Sequence, residues 1–329
     1  MLMKEHIAGF TKHIIHAMQI GEAAKFTSPS NEIRNVLVTG LGGSGIGGTI
    51  IAQLCEKELR VPLNVSKDYF IPAYVDKHTL VIVSSYSGNT EETLQALQAA
   101  QKQGAKIVCI SSGGKVSEIA NTSNYDLVTI PGGMPPRSAF GYSATQLFYV
   151  LQGMQLIGNA FSDQLKNAIA LINAEEENIK NETRAFAEKL IGKVPAIYCA
   201  ANYEGVAVRF RQQINENSKM LCWHHVFPEM NHNELVGWTE TQKEVVVILL
   251  RNTDDYMRTQ KRMEICKEVF ARYTPDVFEI WSKGASQIEK AFYLIHYGDW
   301  ITWYVSEIKD IDCTEVKVID HLKNELSKI

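Results

Sequence analysis

No two cysteines of this chain form a C-x-x-C pair. The six, Cys55, Cys109, Cys199, Cys222, Cys266 and Cys313, are scattered and lie mostly in apolar surroundings. That distribution fits reduced thiols and excludes both a disulfide framework and a cysteine zinc site. Long hydrophobic runs are missing as well. Nothing reaches the ~18 apolar residues of a membrane span, and the N-terminal MLMKEHIAGFTKHIIHAMQIGEAAKF has no continuous apolar core of the signal-peptide kind. A cytoplasmic protein with no membrane partner is the expectation. Basic excess is also lacking: 33 Lys and Arg stand against 37 Asp and Glu, for a net charge of −4. This argues against nucleic-acid binding but not against a small phosphorylated ligand held by local donors.

What is there is an ordinary globular composition, 45% hydrophobic and 21% charged, in a chain of 329 residues for which two domains are the better prior. No tract is of low complexity. The stretch on which the rest turns is residues 35–49, NVLVTGLGGSGIGGT: β-prone residues run into a cluster of glycines, after which Ile50, Ile51 and Leu54 recur at helical spacing. Strand, glycine loop and helix in this order bring backbone close to a ligand and aim free N–H groups at an anion. Gly40, Gly42 and Gly45 also satisfy G-x-G-x-x-G, so a nicotinamide dehydrogenase is weighed. Its ribose-binding acid would have to be Asp68, ~28 residues beyond Gly40 where ~20 is usual.

A leading amphipathic helix is expected over residues 4–25, then strands over 62–66, 79–84, 106–110 and 125–130, the last three each followed by a glycine- or serine-containing loop. Helical segments from Ser143 and over 162–191 lead to a second unit with strands over 196–200, 244–250 and 276–280. Such alternation predicts an α/β fold with two doubly wound, flavodoxin-like parallel sheets, divided into domains 1–155 and 156–329, with ligands at the carboxyl ends of the strands. At one of those ends, SSYSGNTEET (residues 84–93) sets hydroxyls at Ser85, Ser87, Thr90 and Thr93 around Gly88, a set that surrounds a phosphate with neutral donors. The plain alternative is that Ser87 or Asn89 caps the following helix.

Ser85 to Thr90, downstream of Gly40 to Gly45, resembles the sugar isomerase domain. Four further stretches, Pro135-Pro136-Arg137, Asn215-Glu216-Asn217-Ser218-Lys219, Asn231-His232-Asn233-Glu234 and Leu322-Lys323, are similar to the bifunctional phosphoglucose/phosphomannose isomerases, in order along nearly the whole chain. The resemblance implies a homodimer acting on a small phosphosugar without metal or other cofactor. Gly43, Ser44, Ser85, Ser87 and Thr90 would hold the phosphate and Arg137 would stabilise an enediolate. Glu216 would be the base moving a proton between C1 and C2, with His232 and Lys323 serving ring opening. A non-catalytic phosphosugar sensor is the other use of such a sheet, but no basic helix-turn-helix accompanies it. From composition alone Glu216 also reads as a solvated helix residue, His232 as a structural hydrogen-bonder and Arg137 as half of a surface ion pair, and Lys317 or Lys328 competes with Lys323. The loop Ala200-Ala201-Asn202-Tyr203 lacks the glycines of the first, which speaks against a second phosphate site. His224, His225 and His232 have no carboxylate or cysteine spacing that completes a metal site.

Overall fold

The computed structural model describes residues 2–328. Its first sheet contains β1 (Asn35–Thr39), β2 (Leu63–Ser66), β3 (Thr79–Ser84), β4 (Lys106–Ser111) and β5 (Asp126–Thr129), all parallel, in the order β2-β1-β3-β4-β5. β3 is buried at every position and β1 and β4 at all but the first, as their unbroken apolar runs require of strands covered on both faces. This is the flavodoxin-like order, not the 3-2-1-4-5-6 order of the dinucleotide fold, and its switch point lies between β1 and β3. Both loops singled out in the sequence leave the sheet there.

The second sheet holds β6 (Val194–Ala200), β7 (Trp223–Phe227), β8 (Val245–Arg251) and β9 (Val277–Trp281) in the order β7-β6-β8-β9, the same winding with one strand fewer. β7 is missing from the strands expected above. It is an edge strand whose first four residues are only partly buried, so WHHVF carries two histidines where an interior strand carries aliphatics. The leading helix is also two: α1 (Met3–Ala8) and α2 (Phe10–Ala23) join at Gly9, where a Cβ would come within 3.0 Å of the Glu5 carbonyl.

Of the remaining helices, α3 (Gly42–Leu54) and α8 (Glu204–Ser218) follow the first strand of their respective sheets and pack on each other. They run antiparallel: the Gln53 side chain at the end of α3 bonds Gly205 at the start of α8. The others are α4 (Glu91–Lys102), α5 (Gly114–Thr122), α6 (Phe140–Gly153), the 29-residue α7 (Ala160–Glu188) that carries the chain between sheets, α9 (Met257–Phe270), α10 (Gln287–Ile308) and α11 (Lys317–Leu326). One apolar cluster runs through both halves, from Met3 and Ile50 to Ile248 and Trp300. α11 stands apart: none of its residues is buried, and Val318, Ile319, Leu322 and Leu326 are exposed. Among the described residues, no helix is long and apolar enough to cross a membrane.

A chain of polar contacts is sealed inside the junction. Asp299 of α10 accepts from Arg209 Nη2 of α8 at 2.7 Å and from Gln213 Nε2 at 2.9 Å. Both Arg209 Nη atoms donate to the Arg137 carbonyl at 3.3 Å, and the guanidinium stacks 4.4 Å from the Phe140 ring centroid. The two charged side chains are 3% and 9% exposed, so removing either partner strands the other in a medium that does not solvate it. Asp299→Ala is therefore expected to cost about 3–5 kcal/mol, read from the midpoint of urea unfolding. Arg209→Met combined with Asp299→Leu should cost clearly less, because it leaves no lone charge.

Candidate active site

At the switch point the first turn of α3 presents Gly43 and Ser44. Ser44 Oγ accepts the Tyr86 N–H at 3.1 Å, which leaves its own proton free to donate elsewhere. Ser85 is buried and donates to Thr90 Oγ1 at 3.2 Å, while the exposed Ser87 accepts the Asn89 N–H at 3.3 Å. Thr90, not Ser87 or Asn89, stands at the N-cap of α4, and neither α3 nor α4 has a side-chain cap on its first turn. Two sets of helix-start N–H groups thus converge unoccupied by side chains, a geometry that favours an anion. Beneath them the hydroxyls of Thr39, Ser84 and Thr93 are buried without protein partners. The loop is braced from behind: Gly88, at φ +68°, lies so close that a Cβ would sit 1.8 Å from the Gly113 carbonyl, and its own carbonyl accepts the Val116 N–H at 3.0 Å.

Arg137 faces this cradle from a 3-10 turn (Pro136–Ala139) started by consecutive prolines. A Cβ on Gly43 would fall 3.0 Å from the Pro136 carbonyl and 3.1 Å from Arg137 Cα, so the turn packs directly on the glycine. The guanidinium is not at the surface. With 4% exposure it donates from Nε to Asn217 Oδ1 at 2.7 Å, from Nη1 to Glu216 Oε2 at 3.1 Å, and from Nη2 to the carbonyls of Cys313 at 2.6 Å and Thr314 at 3.4 Å. Burial pulls its pKa below the usual arginine value, and the Glu216 carboxylate is the strongest influence opposing that.

Glu216 ends up in the cleft because its neighbours are committed elsewhere. Asn215 donates to the Met220 carbonyl at 2.7 Å, Asn217 to Thr302 Oγ1 at 3.0 Å and Ser218 to the Thr302 carbonyl at 3.0 Å. Lys219 closes α8 in a left-handed conformation and donates to the carbonyls of Glu216 at 2.6 Å and Glu315 at 2.5 Å. The Glu216 carboxylate is left beside Arg137, 28% exposed, next to the Asn217 Oδ1 that accepts from the same guanidinium. A carboxylate and a guanidinium next to a neutral anion cradle can take a proton from carbon and stabilise the oxyanion that results.

Neither of the other two expected residues bonds Glu216 or Arg137 among the described residues. Glu216 precedes β7 and His232 follows it, so the strand, about 16 Å of extended chain, lies between them. His232 is exposed, in a 3-10 turn (Glu229–His232), and makes no hydrogen bond among the described residues. Its neighbours are again pinned. Asn231 donates to Cys266 Sγ at 3.0 Å and accepts from Arg262 at 3.2 Å, and Glu234 Oε1 accepts from Tyr198 Oη and from Trp223 Nε1 at 3.0 Å. Lys323 sits on the exposed α11. Lys317 and Lys328 are paired with Glu315 and Glu325, and Lys323 makes no ion pair among the described residues.

In the second half the counterpart of the cradle is filled from within. Gln53 Oε1 accepts the Gly205 N–H at 2.8 Å and its Nε2 donates to the Ala201 carbonyl at 2.9 Å, placing an amide at the start of α8 where the first half leaves free donors. The histidines do not converge: His224 approaches Glu204 at 3.6 Å, and His225 points to Asn233. Among the described residues no group of three metal-ligating side chains forms. Gln53, Arg209 and Asp299 are absent from the residues picked out in the sequence, and Asn217 appears there only as part of a motif, with no role of its own. The first three read as ordinary helix polar residues, and nothing in their spacing marks them.

Residues 31–151 match the SIS domain family, and residues 179–326 match the bacterial phospho-glucose isomerase C-terminal SIS domain. The fold is shared with the C-terminal domain of glucosamine-fructose-6-phosphate aminotransferase from Francisella tularensis. That structure is 18% identical, with a TM-score of 0.75 over 95% of this chain and 98% of that one. Closer in sequence are two proteins named bifunctional phosphoglucose/phosphomannose isomerase. That of Thermoplasma acidophilum is 36% identical over 89% of this chain and 90% of its own. That of Caldicellulosiruptor bescii is 38% identical over 99% of each chain. Agreement of this extent, end to end and across both sheets, means that the chain belongs to the bifunctional phosphoglucose/phosphomannose isomerase family.

Proposed function

We propose that the protein interconverts glucose 6-phosphate and mannose 6-phosphate with fructose 6-phosphate in the cytoplasm, through a cis-enediol and without a metal. The observation that carries this reading is the Glu216–Arg137 pair, 3.1 Å apart and packed on Gly43 beside the serine and threonine loop. The phosphate is held by neutral donors: Ser44, Ser85, Ser87, Thr90 and the free N–H groups of α3 and α4. Glu216 removes the proton from C2 of the open aldose and returns it to C1. Four of the five Arg137 N–H groups are engaged, namely Nε, one on Nη1 and two on Nη2. The remaining Nη1–H is the one directed at the oxygen on which charge develops. Glucose and mannose 6-phosphate differ only at C2, which becomes trigonal in the enediol, so one base serves both once the C2–C3 bond can rotate.

His232 is at the far end of β7 from Glu216, which supports a homodimer in which His232 of the partner subunit opens the sugar ring. Lys323 joins that step when α11, exposed in the single chain, lies against a cleft.

Ser87→Ala and Thr90→Ala are each expected to raise KM about ten- to a hundredfold, the effect of losing a charge-assisted hydrogen bond worth ~1.5–3 kcal/mol. Unchanged KM in both would move the phosphate elsewhere. Glu216→Gln should lower kcat by ~10²–10⁴-fold for both aldoses and the ketose, because it keeps shape and removes basicity. A variant retaining wild-type turnover excludes Glu216 as the base. Mixing Glu216→Gln with His232→Ala after subunit exchange should restore about a quarter of wild-type activity, since half the dimers are hybrid and one of the two sites in each is intact. Mixtures as inactive as their components would show that both residues serve the same chain's site.

A further inference from the structure

The structure assigns His225 a part that neither its sequence neighbourhood nor the family match names: we infer that it is a positioning residue for His232. The inference rests on the proposed role of His232 in ring opening.

His232 is exposed and makes no hydrogen bond among the described residues, so its ring is aimed only by the backbone that carries it. That backbone leaves β7, turns at Pro228 and reaches Asn233, whose φ of −144° and ψ of −76° end one 3-10 turn and start the next (Glu234–Gly237). The Asn233 side chain sets this corner. Its Oδ1 accepts the Glu234 N–H at 2.6 Å, and its Nδ2 donates to Glu229 Oε1 at 2.9 Å. The same Oδ1 lies 3.1 Å from His225 Nε2.

The direction of that last contact is fixed on the other side of the imidazole. Nδ1 of His225 accepts the Val226 N–H at 2.8 Å, and a ring nitrogen that accepts carries no proton. The ring proton is therefore on Nε2 and is donated to Asn233. His225 thus ties the edge strand β7 to the corner that follows His232, using both nitrogens. It is eight residues from Asn233 in sequence, and it lies within hydrogen-bond reach only because the turn at Pro228 folds the loop back over the strand. A phenyl or aliphatic side chain could fill the space but could neither accept from Val226 nor donate to Asn233.

Such a tie affects one step of the reaction and not the other. Loss of it lets His232 wander and slows ring opening, while proton transfer by Glu216 is untouched. The test compares the full-length variants His225→Leu, His225→Gln, His232→Ala and His225→Leu/His232→Ala. Folding is followed by circular dichroism melts, turnover is measured on cyclic glucose 6-phosphate, and solvent deuterium exchange is measured into an acyclic phosphosugar analogue.

His225→Leu is expected to lower kcat on the cyclic substrate about tenfold, with KM and exchange into the acyclic analogue unchanged. His225→Gln, whose amide can still donate to Asn233, should recover most of the loss. In the His232→Ala background His225→Leu should add nothing, because the residue acts through the one already missing. Additive losses, equal loss with the acyclic analogue, or no loss at all would overturn the assignment. A slow His232→Ala beside a normal His225→Leu removes only the positioning role. If His232→Ala itself turns over cyclic substrate normally, the ring-opening reading falls and the positioning role with it. Should His225→Leu fail to fold, His225→Gln and Asn233→Leu keep the test open: the first must stay near wild type and the second must reproduce the selective loss.

Discussion

The cleft depends on a buried cation. Arg137 is shut into the seam between two sheets, where an unpartnered guanidinium is untenable, and the seam is built to satisfy it. Its side chain is spread over Asn217, Glu216 and the carbonyls of Cys313 and Thr314. Its own carbonyl is held by Arg209, itself anchored on Asp299. Elements from the first sheet, the second sheet and the C-terminal segment therefore meet at one side chain. The candidate base is fixed in place by the same network that neutralises the cation.

The two halves share a winding and differ in what they do with it. Each sheet begins with a strand, a turn and a helix, and α3 and α8 lie antiparallel, so each helix start faces the other's end. In the first half the turn is glycine-rich and the helix start is open. In the second, Ala201-Asn202-Tyr203 forms a 3-10 turn and Gln53 reaches over to satisfy the start of α8. One half accordingly offers donors, while the other contributes a carboxylate from the far end of its helix.

Much of this was legible beforehand, for reasons that can be named. Interior strands such as β3 and β8 are largely apolar runs, too short to span a membrane as helices, and a run of that kind has few uses other than a strand covered on both faces. The glycine loop is legible because a strand meeting a helix at close backbone approach tolerates little else. β7 was not, because an edge strand half open to solvent need not be apolar. Nor was the split of the first helix at Gly9, whose pattern of apolar positions continues across the break. Glu216 and His232 stood out only through the short motifs around them. The structure shows what the flanking residues of those motifs do: Asn215, Asn217, Ser218 and Lys219 in one, and Asn231 and Glu234 in the other, spend their side chains on the backbone and on buried partners. Arg209 and Asp299 were beyond reach, since two charges on separate helices reveal their pairing only when the helices are packed.

The apolar cluster that passes without interruption from one sheet to the other bears on how a sugar gets in and out. Two-domain enzymes commonly breathe by hinge bending, which requires an interface thin enough to part. Here, swinging the sheets apart would expose to water the packing of α3 on α8, where Ile50 lies against Gly205, at a cost set by the hydrophobic effect. A hinge between the sheets would therefore carry a cost that excursions of loops and side chains at the rim of the cleft do not.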